Sequence, residues 1–194
     1  MKRTLEKTRV KFVQMNLNSL SNARYLGNDI LINALGLGTK DLVDVQDKEM
    51  LLQKGQILIV MSNYQRAFMR DDGKTYTYVI PRLNGTVILE GVRDPDISNT
   101  TVIPDINQDI VRRVNKSLPQ HFSANLEDHD IIGHNVGIRP CRTEIRIESE
   151  LNEGQNIVNA YGINGGGYIF GSGVAREVTK LVDDILSQGG TARL

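Results

Sequence analysis

Two stretches of the chain carry residue types whose spacing can do chemistry. The first is 134–142, HNVGIRPCR, where Arg139 stands between Ile138 and Pro140 after an apolar run. Proline fixes its own φ and restricts the residue before it. An arginine held there by a rigid backbone can offer its planar fork to a carboxylate. The same setting suits an arginine that closes a structural ion pair, and the residues alone leave both open. The second stretch is 155–186, where an apolar run at 157–161 precedes six glycines between Gly162 and Gly173. Val174, Val178, Leu181, Val182, Ile185 and Leu186 then recur at helical spacing. Strand, glycine loop and helix together bring backbone close to a ligand, because glycine permits positive φ and carries no Cβ. The helix start adds free N–H groups and partial positive charge, which suit anionic groups. A plain flexible turn in an αβ unit has the same outline. No part of the loop fits G-x-G-x-x-G, so by itself it is not a dinucleotide fingerprint.

Other chemistries find little support. No Ser-His-Asp or Cys-His arrangement can be argued, and no catalytic acid, base or nucleophile is assigned. Asp128-His129-Asp130 reads as a solvated turn, and the carboxylates are scattered. A single Cys141 excludes an internal disulfide and suits a reducing compartment. One cysteine and three histidines give no metal site to expect. Lysine plus arginine and aspartate plus glutamate balance at 23 each, which removes the electrostatic footprint of a nucleic-acid binder. No apolar run approaches the roughly twenty residues of a membrane span.

These candidates need elements to position them. Residues 10–17 read as a strand, and 28–34 as a second, near-continuous apolar one of the kind buried in a parallel sheet. A short helix-like piece follows at 40–45. Strands at 56–61, 75–80 and 86–89, with Asp72-Gly73 and Asn84-Gly85 as turn signals, read as an antiparallel meander. Asp105 is an expected N-cap for a helix over 106–118, with Ile106, Ile110, Val111, Val114 and Leu118 on one face. Residues 131–138 and 144–148 read as two further strands. The basic start, 1–12, lacks the apolar stretch of a secretory signal, and Glu6 speaks against a transit peptide. At the other end a polar tail closes on Ala192-Arg193-Leu194, which resembles the S-K-L peroxisomal address.

The segments at 137–142 (GIRPCR) and 161–168 (YGINGGGY) resemble the C-terminal signature of the D-amino-acid oxidases, above all the fungal ones. Upstream, 33–38 (NALGLG) looks like the family's second glycine segment, and Lys54-Gly55-Gln56 like its Arg-Gly-Gln turn. The runs 78–82 (YVIPR) and 85–89 (GTVIL) look like its substrate-domain strands. Glycine or sarcosine oxidases fit Tyr78-x-Ile80-Pro81 and Gly137-x-Arg139-Pro140 less well. The resemblance spans essentially the whole chain in the right order. It implies an FAD-dependent, peroxisomal enzyme that converts D-amino acids and molecular oxygen to 2-oxo acids, ammonia and hydrogen peroxide. It places Arg139 on the substrate α-carboxylate, with Tyr78 and Gly165 beside it. Arg93 matches a position that reads an acidic side chain in D-aspartate oxidases, or is a surface arginine before a loop. Leu17, Gly165, Gly166, Gly167, Tyr168 and Ile169 match cofactor-binding positions. Two departures stand out: Ser172, where many animal members carry tryptophan, and Ile169, where a polar side chain can bond the flavin.

The fold expected is α+β: a mixed or antiparallel substrate-domain sheet with strands and the C-terminal helix of a Rossmann-like FAD-binding domain. Its parts would be a flavin-domain remnant at 1–45, the substrate domain at 46–135, a flavin-domain return at 136–187, and the tail at 188–194. The family's opening strand–glycine–helix unit, which cradles the FAD pyrophosphate, finds no counterpart in these 194 residues. A non-catalytic remnant without FAD is therefore the alternative expectation, and homo-oligomerisation stays open. The partners expected are substrate, oxygen and a peroxisomal import receptor, with no nucleic acid and no membrane. Fused behind a fluorescent protein, 187–194 should carry it into peroxisomes, and the same fusion lacking Leu194 should stay diffuse. Equal import of both would refute the tail assignment.

Overall fold

The computed structural model of the chain describes residues 2–8, 10–73, 76–91, 94–95 and 99–190. Arg93 and the tail at 191–194 lie outside them. In order, the elements are α1 (Lys2–Leu5), α2 (Ser21–Arg24), β1 (Ile30–Asn33), a 3-10 turn (Gly36–Lys40), β2 (Leu51–Met61) and β3 (Phe68–Asp71). Next come β4 (Tyr76–Pro81), β5 (Thr86–Glu90), the two-residue β6 (Asp94–Pro95), α3 (Pro104–Ser117) and a 3-10 turn (Leu126–Asp128). The chain closes with β7 (Ile131–Asn152), β8 (Gln155–Ile163), a 3-10 turn (Asn164–Gly166) and α4 (Gly167–Gly190). The architecture is mixed α+β. Two compact units divide it: a terminal one of Met1–Lys48, Arg146–Tyr161 and Ser172–Leu194, and a central one of Glu49–Ile145 and Gly162–Gly171.

In the central unit the strand order is β7-β2-β5-β4-β3, antiparallel throughout, with β6 on β2. The meander is therefore β3-β4-β5 alone. β2, eleven residues long, pairs with β5 and β7 rather than with β3. One face of this sheet carries the core. Leu58, Val60, Val79, Val87 and Leu89 pack on Ile110, Val111 and Val114 of α3. The helix starts two residues earlier than its polar pattern suggests. Ile103 is the N-cap, Pro104 takes the first turn, and Asp105 makes no capping bond. Buried Gln56 of β2 does the capping instead. Its Oε1 accepts from Ile103 N at 2.9 Å and its Nε2 donates to Ile103 O at 2.8 Å. Lys54, also fully buried, donates to Thr101 O at 2.7 Å and to Asn99 Oδ1 at 3.0 Å. So Lys54-Gly55-Gln56 is not a turn but the middle of a strand whose even positions anchor the approach to α3.

In the terminal unit β1 runs parallel to β8, with Asn33 opposite Asn159. Both are buried, and Asn33 Nδ2 donates to Asn159 Oδ1 at 2.8 Å. Leu20, Leu42 and Ile157 form a small core. The expected strand at 10–17 is absent: no described strand lies alongside it, and Val10, Phe12, Val13 and Met15 are exposed. An extended segment without a neighbour has no ladder to form. The helix-like 40–45 is the end of a 3-10 turn followed by loops. The two strands expected at 131–138 and 144–148 are one 22-residue strand, β7, which passes through Pro140.

The four-residue α2 is capped from afar. Asp44 accepts from Leu20 N at 2.9 Å, Ser21 N at 3.1 Å and Ser19 Oγ at 2.6 Å. Burial alone would raise the Asp44 carboxyl, but these bonds outweigh it and hold the group below its ordinary 3.8. A depressed carboxyl stabilises the fold above its unfolded pKa and loses that contribution as pH falls through the folded value. Asp44→Ala should thus cost about 1 kcal/mol in urea unfolding at neutral pH. The gap to wild type should close as pH drops below 3.8. An undiminished gap in acid would show that Asp44 acts through packing.

Candidate functional site

The face of the central sheet turned away from α3 is where Arg139 lies. Directly opposed residues of antiparallel strands share a face. On β2 that face presents Gln53, Gly55 and Ile57. Arg139, Gly137 and Asn135 of β7 stand opposite them. Glu90 of β5 stands opposite Ile57 from the other side, and Tyr78 of β4 opposite Glu90. Arg139 and Glu90 thus sit on the two strands that flank β2, roughly 10 Å apart by strand spacing. Their side chains meet above Gly55, where Arg139 Nη2 donates to Glu90 Oε1. A Cβ on Gly55 would stand 2.8 Å from both Arg139 Nη1 and Glu90 Oε1. Only glycine leaves room for the crossing. The Glu90 side chain is 0% exposed and that of Arg139 27%. Arg139 Nη1 is buried and finds no hydrogen-bond partner among the described residues. A buried donor without a partner is costly and calls for an explanation, such as an acceptor brought by a ligand.

Two open clefts meet at Arg139. One, of about 190 Å³, is lined by Gly55, Tyr78, Glu90 and Arg139 among others. The other, of about 360 Å³, is lined by Gln53, Tyr76, Arg139, Cys141, Asn164 and Gly165. The rings of Tyr76 and Tyr78 stand edge to face with centroids 5.6 Å apart. The glycine loop reaches the second cleft because it is tied to β7. Asn164, itself at φ 55°, accepts from Arg142 N at 2.8 Å through its side chain. Gly162 is at φ 80°, and a Cβ there would stand 2.7 Å from the Arg142 Cβ. Arg142 also pairs with Glu49 at 3.1 Å. After Asn164 the chain enters α4 at Gly167.

Of the residues singled out in the sequence, Arg139, Tyr78 and Gly165 come together around these clefts. Gly166, Gly167, Tyr168 and Ile169 continue the same loop into α4, with Tyr168 fully and Ile169 largely exposed. Leu17 belongs to the terminal unit, half-buried beside Leu20. Arg93 lies outside the described residues. Glu90, Gly55, Gln53, Tyr76 and Asn164 were not foreseen. One signal for Glu90 was present: a carboxylate ends the apolar run 86–89, immediately before Gly91. Among the described residues, no group of three or more His, Cys, Asp or Glu could hold a metal. No helix among them is long and apolar enough to cross a membrane.

Comparison with known proteins follows the same lines. A D-amino-acid oxidase of Dictyostelium discoideum is 35% identical over 161 residues, covering 82% of this chain and 44% of that protein. A D-amino-acid oxidase of Fusarium vanettenii is 32% identical over 182 residues, covering 87% of this chain and 50% of that protein. A D-aspartate oxidase of Talaromyces thermophilus is 31% identical over 141 residues, covering 71% and 38%. The chain spans half or less of the length of these relatives. Glycine oxidase from Bacillus cereus ATCC 14579 superposes with a TM-score of 0.64 at 18% identity, covering 79% of this chain and 42% of that one. L-alpha-glycerophosphate oxidase from Mycoplasma pneumoniae, with FAD bound, gives 0.60 at 16% identity, covering 78% and 42%. At such identities the likeness establishes the fold alone. Residues 3–181 match the FAD dependent oxidoreductase family, and the chain belongs to it.

Proposed function

We propose that this chain supplies the substrate-recognising part of an FAD-dependent D-amino-acid oxidase. The reaction would convert a D-amino acid, oxygen and water to a 2-oxo acid, ammonia and hydrogen peroxide. One observation carries the reading: the buried Arg139 Nη1, without a partner among the described residues, beside a cleft lined by Tyr78. A substrate α-carboxylate would supply the acceptor that this donor lacks. The names of the relatives point the same way.

The residues present fit a flavin. A Cβ on Gly165 or Gly167 would meet nothing within 4 Å, so that backbone lies open to a flat group. Gly167 also opens the 24-residue α4, whose first N–H groups favour an electron-rich neighbour. The chemistry that bound FAD would supply is a hydride acceptor for the amino-acid Cα–H and an electron relay to oxygen. Gly165, Gly166, Gly167, Tyr168 and Ile169 would hold its ring side, and Leu17 its adenine side through the backbone. The chain's own part is positioning: Arg139 and Tyr78 fix the α-carboxylate, which orients the Cα–H bond. No acid or base of the chain is assigned to that step. Arg93 would read an acidic side chain, and the tail at 192–194 would address the protein to an import receptor of the peroxisome.

Joined to a complete flavin-binding half, Arg139→Leu should lower kcat/KM by an amount worth about 3–5 kcal/mol, as when a buried charge pair is broken. A loss below about tenfold, some 1.4 kcal/mol, would make Arg139 structural. A second reading, a member of the fold that turns over no substrate, is favoured by the Glu90 carboxylate already held on Arg139. It predicts that these 194 residues, purified alone, retain no stoichiometric FAD and release no peroxide with D-amino acids. The absorbance spectrum after gel filtration with FAD decides. A co-eluting flavin band near one per chain would exclude that reading.

A further inference from the structure

We propose that Gln53 is a specificity-determining residue beside Arg139, favouring D-amino acids whose side chain ends in an oxygen acceptor over apolar ones of the same outline. This rests on Arg139 being the carboxylate grip. Gln53 of β2 is half-buried and stands directly opposite Arg139 of β7. Opposed residues of an antiparallel pair bring their Cβ atoms to about 5 Å on one face. Both line the larger cleft, together with Tyr76 and Gly165. The Gln53 amide has a defined sense. Its Oε1 faces the Cys141 thiol, a weak donor, at 3.9 Å. Its Nε2 has no partner among the described residues and is left for the cleft. Gln56, three residues on, shows the contrast: its whole amide is spent on Ile103 and Asn107. Reach sets the ligand. A carboxylate on Arg139 Nη1 rests near Gly55, since a Cβ there would stand 2.8 Å from that nitrogen. Gln53 lies two residues along β2, roughly 7 Å away by strand rise. A side chain of two or three carbons closes that gap, and a carbonyl oxygen at its end accepts from Nε2. An apolar end of the same shape takes water from the amide and gives no acceptor back.

The experiment is an NMR titration of the 194-residue chain with D-asparagine, D-leucine and D-alanine. D-asparagine and D-leucine share a branched outline and carry the same charges, so their contrast isolates the hydrogen bond and leaves the net charge of the cleft out of it. D-alanine ends at Cβ and reports the grip alone. Wild type should bind D-asparagine about fivefold more tightly than D-leucine, the scale of one neutral hydrogen bond. Gln53→Met keeps length and removes the amide, and should bring that ratio to one or invert it. Gln53→Asn, which keeps the amide, should still favour D-asparagine. Retained dispersion of the β2 and β7 amide signals shows that each variant folds. Wild type binding D-leucine as tightly as D-asparagine overturns the proposal without any variant. So does Gln53→Met with the wild-type ratio. Arg139→Gln separates the two ideas. If it loses D-alanine while wild type treats D-asparagine and D-leucine alike, the grip stands and only the role of Gln53 falls. If D-alanine leaves the wild-type cleft unmoved, or binds Arg139→Gln as it binds wild type, the grip is wrong and the role of Gln53 falls with it.

Discussion

The central unit turns on a salt bridge that passes over a strand instead of along it. Arg139 belongs to β7 and Glu90 to β5, and β2 runs between them. The bridge exists because Gly55 has no side chain. It gains little net stability, since desolvating two charges costs about what their attraction returns. Its value lies in specification. A guanidinium pinned at one end presents its remaining donors in a fixed direction, and the neighbouring tyrosines and the glycine loop are arranged around that direction. Losing either partner would leave a charge stranded in a place water hardly reaches.

β2 divides its labour by parity. Its even positions, Lys54 and Gln56, hold the backbone that leads into α3, and Leu58 and Val60 continue into the core. Its odd positions, Gln53, Gly55 and Ile57, floor the face that carries Arg139 and Glu90. The two sets cannot exchange roles, because a pleated strand sends successive side chains to opposite sides. A polar triplet in the middle of an apolar strand thus serves two purposes at once. One side fixes where a helix begins, and the other leaves a gap for a charge pair.

Much of this was legible in the sequence where the signal is local. The apolar stripe of α3, the run of β8, the Asn84-Gly85 turn and the helix after the glycines all follow from periodicity or from residues with special φ. What was not legible is what depends on distant pairing. Glu90 and Arg139 are 49 positions apart, and nothing in either neighbourhood names the other. The capping of α3 by Gln56 hides for the same reason, and it displaced Asp105 from the role its type suggests. The expected strand at 10–17 had the right composition but no neighbour, so propensity had nothing to act on. Pro140 reads as a stop, yet β7 runs through it.

The length of β7 has a consequence for how such a chain can diverge. Substitutions along it change one side chain each, but a single inserted or deleted residue between Gly137 and Cys141 would reverse the parity of everything beyond it. Arg139 would then turn toward α3 or away from it according to one codon. The tight connection at Glu153 and Gly154, both at positive φ, lies beyond the strand's end, where a change of length disturbs no register within it. Descendants of this chain should accordingly vary in length at that hairpin and hold their spacing between Gly137 and Arg142, whatever happens to the side chains in between.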